Sequence, residues 1–462
     1  MDMIGVGPFL TLPLVIAAAG SRFAVWAWLL GAGIAVCDGL VCAELGAAFP
    51  QAGGSYAFLR QIYGEHGAGR WISFLYVWQL SFSAPLSIAS GCIGLATFLT
   101  YLWPALNVQF LAGLPWMHRA NIHGTNFVAA AACLLVTALL YRNLTSITRM
   151  AWVLFSGVLL TLTGVIVSGF VSGAHAGMGH GSSGWQLSHL IAWPSAALLP
   201  ALAQATMITC YDYWGYYNIC FLGSEVKRPE RTIPRAILLS VLFVSAFYLA
   251  MNLAALPSLR DAAAHSASGA AAVASVHLQL VAQIAQSAFG AWAGRLMAAL
   301  IVWTAFASVF SLLLGYSRVP YAAARDGNYF RFLAAVHPRH GIPHRSLVAL
   351  GVVAAAFCFL TLTQVITLLV ITRILLQFFL QHVGVMLLRV QRPELARPFK
   401  MPLYPLPPLV AMGGFAYLLV YRVKALEGLA VAAGIAVSGT AIYLWRARRD
   451  GHWPFLSAAS GR

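Results

Sequence analysis

The sequence predicts an all-α protein that crosses a membrane many times, and three observations carry that prediction. Of its 462 residues, 60% are hydrophobic and only 9% are charged, against about 25% charged in a soluble domain. Residues 71–118 contain no Lys, Arg, Asp or Glu, although a spanning helix needs only about 20 apolar residues. The other architecture that spans a bilayer, a closed β-barrel, needs short alternating strands, and the sequence offers none.

Twelve apolar segments follow one another, at 4–20, 23–49, 71–103, 125–141, 150–172, 191–222, 236–257, 285–317, 346–362, 366–389, 403–421 and 428–445. The first is interrupted by Gly5, Gly7 and Pro8. The second leads into Pro50, Gly53 and Gly54, which suit a loop. The sixth, "ALAQATMITCYDYWGYYNICFLGSE", is interrupted at Gly215 among aromatics and Asp212. Between the fifth and sixth, "AHAGMGHGSSGWQLSH" carries His175, His180 and His189 and reads as a polar loop in preference to a metal site. Residues 263–275 read as a low-complexity loop.

Charge sets the orientation. With residue 1 on the cytoplasmic side, 21 of the 28 Lys and Arg fall on the inner side. Six fall outside (Arg22, Arg119, Arg260, Arg295, Arg422 and Lys424), and Arg373 lies within a span. This is the positive-inside pattern of a plasma (inner) membrane protein with both termini cytoplasmic. The net charge of +16 therefore speaks of topology, not of nucleic acid. The seven Cys show neither metal spacing nor a disulfide framework, and no cleavable signal peptide is evident. The sequence calls for no cofactor and no metal.

The two interrupted segments stand five segments apart, which predicts an inverted repeat with a binding site near the midplane. A helix broken inside the membrane leaves N–H and C=O groups without partners, at several kcal/mol each unless something satisfies them. A zwitterionic solute does so, because half-helix N-termini favour a carboxylate and C-termini favour an amine. A close contact between glycine-lined helices is the alternative.

Longer stretches link the chain to a family. "AELGAAFPQAGGSYAFLRQIYG" (43–64), "GSEVKRPERTIPRAI" (223–237) and "YSRVPYAAARDGNYFRFLAAVHPRHGIP" (316–343) closely resemble the amino acid–polyamine–organocation (APC) superfamily of transporters. "RPELARPFKMPLYPLPP" (392–408) resembles its link between helices 10 and 11. The resemblance covers nearly the whole chain. It implies the leucine-transporter fold: a first five-helix repeat over 1–172, an inverted second over 191–390, two further helices over 403–445 and a tail over 446–462. It also implies that Glu44, Glu225, Arg318 and Arg325 lie on the inner side, as a gating salt-bridge network or as static loop staples.

The resemblance places a substrate site on both breaks. Gly5, Val6, Gly7, Pro8 and Phe9 match the family's helix 1 element, whose amides hold a carboxylate; Pro8 has no N–H to offer. Gly215 matches the break glycine of helix 6. Tyr211 then falls on an aromatic gate, with Asp212, Tyr213, Trp214, Tyr216 and Tyr217 around it as pocket lining or core packing. Tyr217 stands where some members carry an acidic outer gate, so that gate does not carry over. Asp38, Asp212 and Arg373 are the charges within the spans. Such charges are costly and are usually functional or paired. Asp212 is placed to meet a substrate amine or a proton. Arg373 is placed to neutralise Asp38 or Asp212, or to meet a substrate carboxylate.

Coupling stays open between H+, Na+ and exchange without an ion. Some proton-coupled members carry a Lys in helix 5, but segment 150–172 has no Lys or Arg, and Ser156 is near the equivalent place. Thr304, Ser308 and Ser311 share a face of helix 8 and offer oxygen to a small cation or hydrogen bonds between helices.

The function so predicted is secondary active transport or exchange of amino acids, with polyamine or another organocation as the rival solute. The sequence shows no Gly-Lys-[Ser/Thr] phosphate loop, no His-x-x-x-His or Gly-x-Ser-x-Gly within a span, and only 17 residues after 445. It therefore favours neither an enzyme nor a transporter-derived sensor. One further expectation concerns helix 1. Only Met1 to Ile4 precede the break, where the family has about ten residues of inner half-helix, so the sequence predicts a truncated first helix, from a misplaced start codon or a lost segment.

Overall fold

The computed structural model describes residues 2–20, 23–65, 67–107, 123–141, 144–179, 196–265, 279–421, 425–451 and 453. Among these residues there is no strand; one antiparallel bridge joins Ala52 to Leu222. The helices are α1 (Gly7–Ala19), α2 (Ala24–Ala48), α3 (Ser55–Tyr63), α4 (Ala68–Leu102), α5 (Gly124–Leu139), α6 (Leu144–Gly179), α7 (Leu199–Tyr213) and α8 (Asn218–Phe221). They continue with α9 (Pro229–His265), α10 (Leu280–Phe289), α11 (Ala291–Tyr316), α12 (Arg318–Arg325), α13 (His344–Phe357), α14 (Leu362–Arg373), α15 (Phe379–Gln391), α16 (Leu406–Val420) and α17 (Ala425–Arg449). A π-turn over Ile374–Phe378 joins α14 to α15.

All twelve predicted segments carry helix. Among the described residues, seven helices are long and apolar enough to cross a membrane: within Ala24–Ala48, Ala68–Leu102, Ile147–His175, Pro229–Ala255, Ala291–Arg325, Gln364–Gln391 and Gly428–Arg449. Shorter apolar helices include α1, α5, α13 and α16. Large apolar side chains face outward, among them Trp152, Leu160, Leu239, Leu242 and Trp292, as a surface solvated by lipid tails requires.

Three boundaries differ from expectation. The eighth segment does not run unbroken from 285: α10 ends at Phe289 because Gly290 takes φ +91°, and a new helix starts at Ala291. Helix α9 begins earlier, at Pro229, and runs as far as His265 into the stretch taken for a loop; 266–275 lie outside the described residues. The last helix continues to Arg449, past the expected start of the tail. Of the loop histidines, His175 lies in α6, and His180 and His189 fall outside the described residues.

The packing brings far segments together. α1 lies against α7, α2 against α9, α4 against α11, and α5 against α13. A buried aromatic knot ties three of these helices: Trp28 meets Tyr213 at 5.9 Å and Tyr248 at 5.2 Å between ring centroids. α16 packs on α2, and α17 on α4.

Candidate functional site

The two breaks touch. α1 starts at Gly7 after the irregular residues 2–6, with Pro8 in its first turn. A helix start leaves its first N–H groups without intrahelical partners. α7 ends at Tyr213, Trp214 is extended (ψ 153°), Gly215 takes φ +123°, and α8 resumes at Asn218. A Cβ on Gly215 would stand 2.9 Å from the amide nitrogen of Met3, and one on Gly7 would stand 2.3 Å from Asp212 Oδ1. Each break is therefore seated against the other chain segment with no room for a side chain.

Between them lies a cavity of about 50 Å³, room for one or two waters. Gly5, Val6, Gly7, Pro8, Tyr211, Asp212, Trp214, Gly215, Ser308 and Arg373 line it, all residues singled out from the sequence. Ser87, Ser90 and Gly91 of α4, Leu312 and Tyr316 of α11, and Leu369 of α14 add to the wall; sequence reasoning missed them because nothing in their local pattern marks them. Asp2 and Met3, just before the first break, complete it; Asp2 accepts from the Asn218 amide through Oδ2, and its Oδ1 is buried without a hydrogen bond. Tyr211 spans the cavity, its hydroxyl 2.7 Å from Ser90 Oγ. Three predicted residues stand elsewhere. Phe9 is fully buried in the core. Tyr213 belongs to the aromatic knot, with its hydroxyl 3.3 Å from the Trp28 carbonyl. Tyr216 turns away and donates to Asp38.

The charges do not pair as the sequence suggested. Arg373, buried, donates to the Tyr217 hydroxyl (2.6 Å), the Tyr316 hydroxyl (2.7 Å), Ser87 Oγ (2.8 Å) and the Ser83 carbonyl (3.4 Å). It stacks 5.7 Å from the Trp214 ring, and its Nε has no partner. Among the described residues, no carboxylate forms an ion pair with it. Asp212 accepts from the Thr11 hydroxyl through Oδ2, and Oδ1 is buried without a hydrogen bond. Asp38 pairs instead with His382, 3.3 Å between Oδ1 and Nε2, a partner the sequence reading did not identify.

The hydroxyls considered for an ion do not converge. Ser156 is exposed and bonds the Val153 carbonyl at 2.8 Å. Thr304 meets Thr161, one turn and more further along the same helix α6, at 2.9 Å. Ser308 lines the cavity, and Ser311 lines a second cavity of about 570 Å³ below the breaks. Thr304→Val is expected to cost about 1 kcal/mol of stability, the worth of one hydroxyl contact between membrane helices. Thermal unfolding with and without sodium checks it; a loss seen only with sodium present would place a cation there.

The inner-side residues form separate pairs. Arg318 binds Glu225 at 3.1 Å. Glu44, buried, takes Arg389 at 2.5 Å and the Met401 N–H at 2.8 Å. Arg325 is exposed and joins no ion pair among the described residues, while its neighbour Asp326 accepts from Arg60 and Tyr56.

A model of the amino acid permease family matches residues 1–445. This chain belongs to the amino acid permease family. The APC resemblance of its motif stretches holds over that whole length. An uncharacterized transporter of Mycobacterium tuberculosis is 31% identical to this permease over 77% of the chain and 70% of its own length. The serine/threonine exchanger SteT of Bacillus subtilis is 25% identical over 90% of the chain and 87% of its own length. Asc-type amino acid transporter 1 of Mus musculus is 26% identical over 97% and 79%. The family and these relatives are membrane transporters, so the permease is a multi-pass membrane protein and not an enzyme.

Proposed function

We propose that this permease carries small zwitterionic amino acids across the plasma membrane as a secondary transporter working by alternating access. One observation carries the reading: the cavity at the paired breaks holds a buried guanidinium that forms no ion pair among the described residues, and two carboxylates, Asp2 and Asp212, each with a buried oxygen free of hydrogen bonds. Buried charges are stable only when complemented, and a zwitterion complements both. Its carboxylate takes Arg373 and the free N–H groups at the start of α1. Its ammonium takes Asp212. Gly5 to Pro8, Tyr211, Trp214 and Gly215 close around it.

The cavity holds less than an amino acid, so binding opens it. The small volume and the serine/threonine exchanger among the relatives both favour a small side chain. The pairing of α1 with α7, α2 with α9, α4 with α11 and α5 with α13 supports two inverted five-helix repeats. The larger cavity is lined by Ala236, Leu239 and Ser240, near the end of α9 that carries Arg231 and Arg235. On the positive-inside rule that is the cytoplasmic side, and both termini are assigned to it as well.

Uptake into proteoliposomes tests the reading with a matched set: L-serine, its decarboxylated amine, its deaminated acid, and a polyamine. Serine is expected to be taken up or exchanged, and the three analogues to lose at least about tenfold, since each leaves one buried charge without its partner. Polyamine uptake without amino acid uptake would overturn the proposal; the guanidinium in the cavity argues against a polycation.

A further inference from the structure

The buried pair Asp38–His382 lies outside the substrate cavity, and its hydrogen bonding demands a proton. Both side chains are fully buried, on α2 and α15. His382 Nδ1 stands 2.6 Å from the Phe378 carbonyl. A carbonyl only accepts, so Nδ1 carries hydrogen. Nε2 then faces Asp38 Oδ1 at 3.3 Å, and neither atom has another hydrogen-bond partner. Without a proton between them, a lone pair on nitrogen would face a carboxylate oxygen in a dry interior. With one, the contact is either imidazolium to carboxylate or carboxylic acid to imidazole, and the pair is neutral as a whole.

The surroundings supply no substitute charge. On α2, Cys42 Sγ lies 4.0 Å from Asp38 Oδ2, and Cys37 directly precedes Asp38; Tyr216 donates to the same oxygen; Cys210 of α7 and Cys220 of α8 are further titratable neighbours. α15 adds Gln381, α16 adds the Phe415 ring, 5.9 Å from the His382 ring, and α9 presents Ile237 and Val241 to the same stretch of α2. The next charges along these two helices, Glu44 and Arg389, are bound to each other.

Two contacts join this pair to the substrate site. Tyr216 directly follows the break glycine, so the hydroxyl that reaches Asp38 belongs to the hinge of the sixth segment. Phe378, whose carbonyl holds His382, packs its ring 5.2 Å from Trp214, which lines the cavity. We propose that Asp38 and His382 form a proton-binding site that couples proton movement to the substrate cycle of this permease. The proton enters the gap between Oδ1 and Nε2 and no other bond changes. When it leaves, the pair carries one negative charge and repels, α2 and α15 part, and Asp38, released from His382, keeps its charge-assisted bond from Tyr216, so that its shift is carried to the hinge at Gly215.

The proposal rests on the transport reading, and its test separates the two. Proteoliposomes holding a pH-sensitive dye are given L-serine. In the wild type, serine is expected to acidify the lumen, and an imposed inward proton gradient to raise serine accumulation several-fold. The variants Asp38→Asn and His382→Gln are expected to lose both responses while still exchanging external for internal serine. The double variant Asp38→Asn/His382→Gln keeps an amide hydrogen bond across the gap and serves where a single variant is unstable. An infrared difference spectrum of the wild type on serine addition, with and without labelled histidine, reads the protonation change directly. Wild-type exchange with no acidification and no gradient response overturns the proposal, as does either response surviving in the variants. Absence of any serine exchange in the wild type overturns the transport reading instead.

Discussion

Arg373→Gln is expected to abolish amino acid uptake while leaving the protein inserted and folded. The expected loss of affinity is about 30-fold to 5000-fold, the cost of leaving one member of a buried charge pair alone, about 2–5 kcal/mol. The guanidinium is hydrogen-bonded to neutral oxygens only: two tyrosine hydroxyls, a serine hydroxyl and a carbonyl. Those bonds fix its position, and none of them brings it an ionised partner of opposite sign. A substrate carboxylate supplies that opposite, and glutamine has none of the attraction. Arg373→Lys is expected to recover little, because an ammonium has three donors and cannot reproduce the planar fork. The discriminating control is the serine analogue that lacks the carboxylate. If Arg373 only staples helices, the variant weakens every solute alike and lowers the unfolding temperature. If it binds the carboxylate, the amine analogue is bound no worse by the variant than by the wild type.

What the sequence made legible depended on the range of the physics. Apolar length is a local quantity, and all twelve segments were found. Breaks are local too, since Gly and Pro disrupt a helix where they stand, and Gly5 to Pro8 and Gly215 line one cavity. Which way a side chain points within a broken or curved helix is not local. Tyr211, Tyr213 and Tyr216 look alike in the sequence, yet one lines the cavity, one sits in the aromatic knot and one reaches Asp38. Ser156 and Thr161 are five residues apart, about 140° around a helix, so only Thr161 faces Thr304. Of the two alternatives for Arg373, an aspartate partner or a substrate carboxylate, the first finds no ion pair among the described residues for the same reason. Arg373 precedes a π-turn, a feature with no fixed sequence mark, and helix azimuth decides whom it meets. His382 carried a usable signal that went unread. Asp38 in an apolar span needed a partner, and His382 was a second ionisable group within the tenth segment.

Gly7→Leu is expected to remove uptake entirely, and Gly7→Ala nearly so. The methyl of alanine alone would stand 2.3 Å from Asp212 Oδ1 and 3.4 Å from its Cγ, so one of the two segments has to shift. Asp212 has little freedom to yield: it is buried and held by Thr11, itself within α1. The clash therefore pushes the start of α1 away from the sixth segment and displaces at once the N–H groups and the carboxylate assigned to the two ends of a zwitterion. Misplacing both by about 1 Å costs on the order of 100-fold where geometry governs. The stability of the bundle should suffer much less, because the rest of α1 stays packed on α7. Gly33→Ala in α2 is the matching control: nothing lies within 4 Å of a Cβ there, so it is expected to insert and transport as the wild type does. Serine exchange in proteoliposomes, with thermal unfolding measured on the same preparations, compares the three variants. Normal exchange by Gly7→Leu would separate the break in the first segment from substrate binding. Loss of exchange with a retained unfolding temperature ties the two together, because a packing glycine that filled no role in the site would lower stability first.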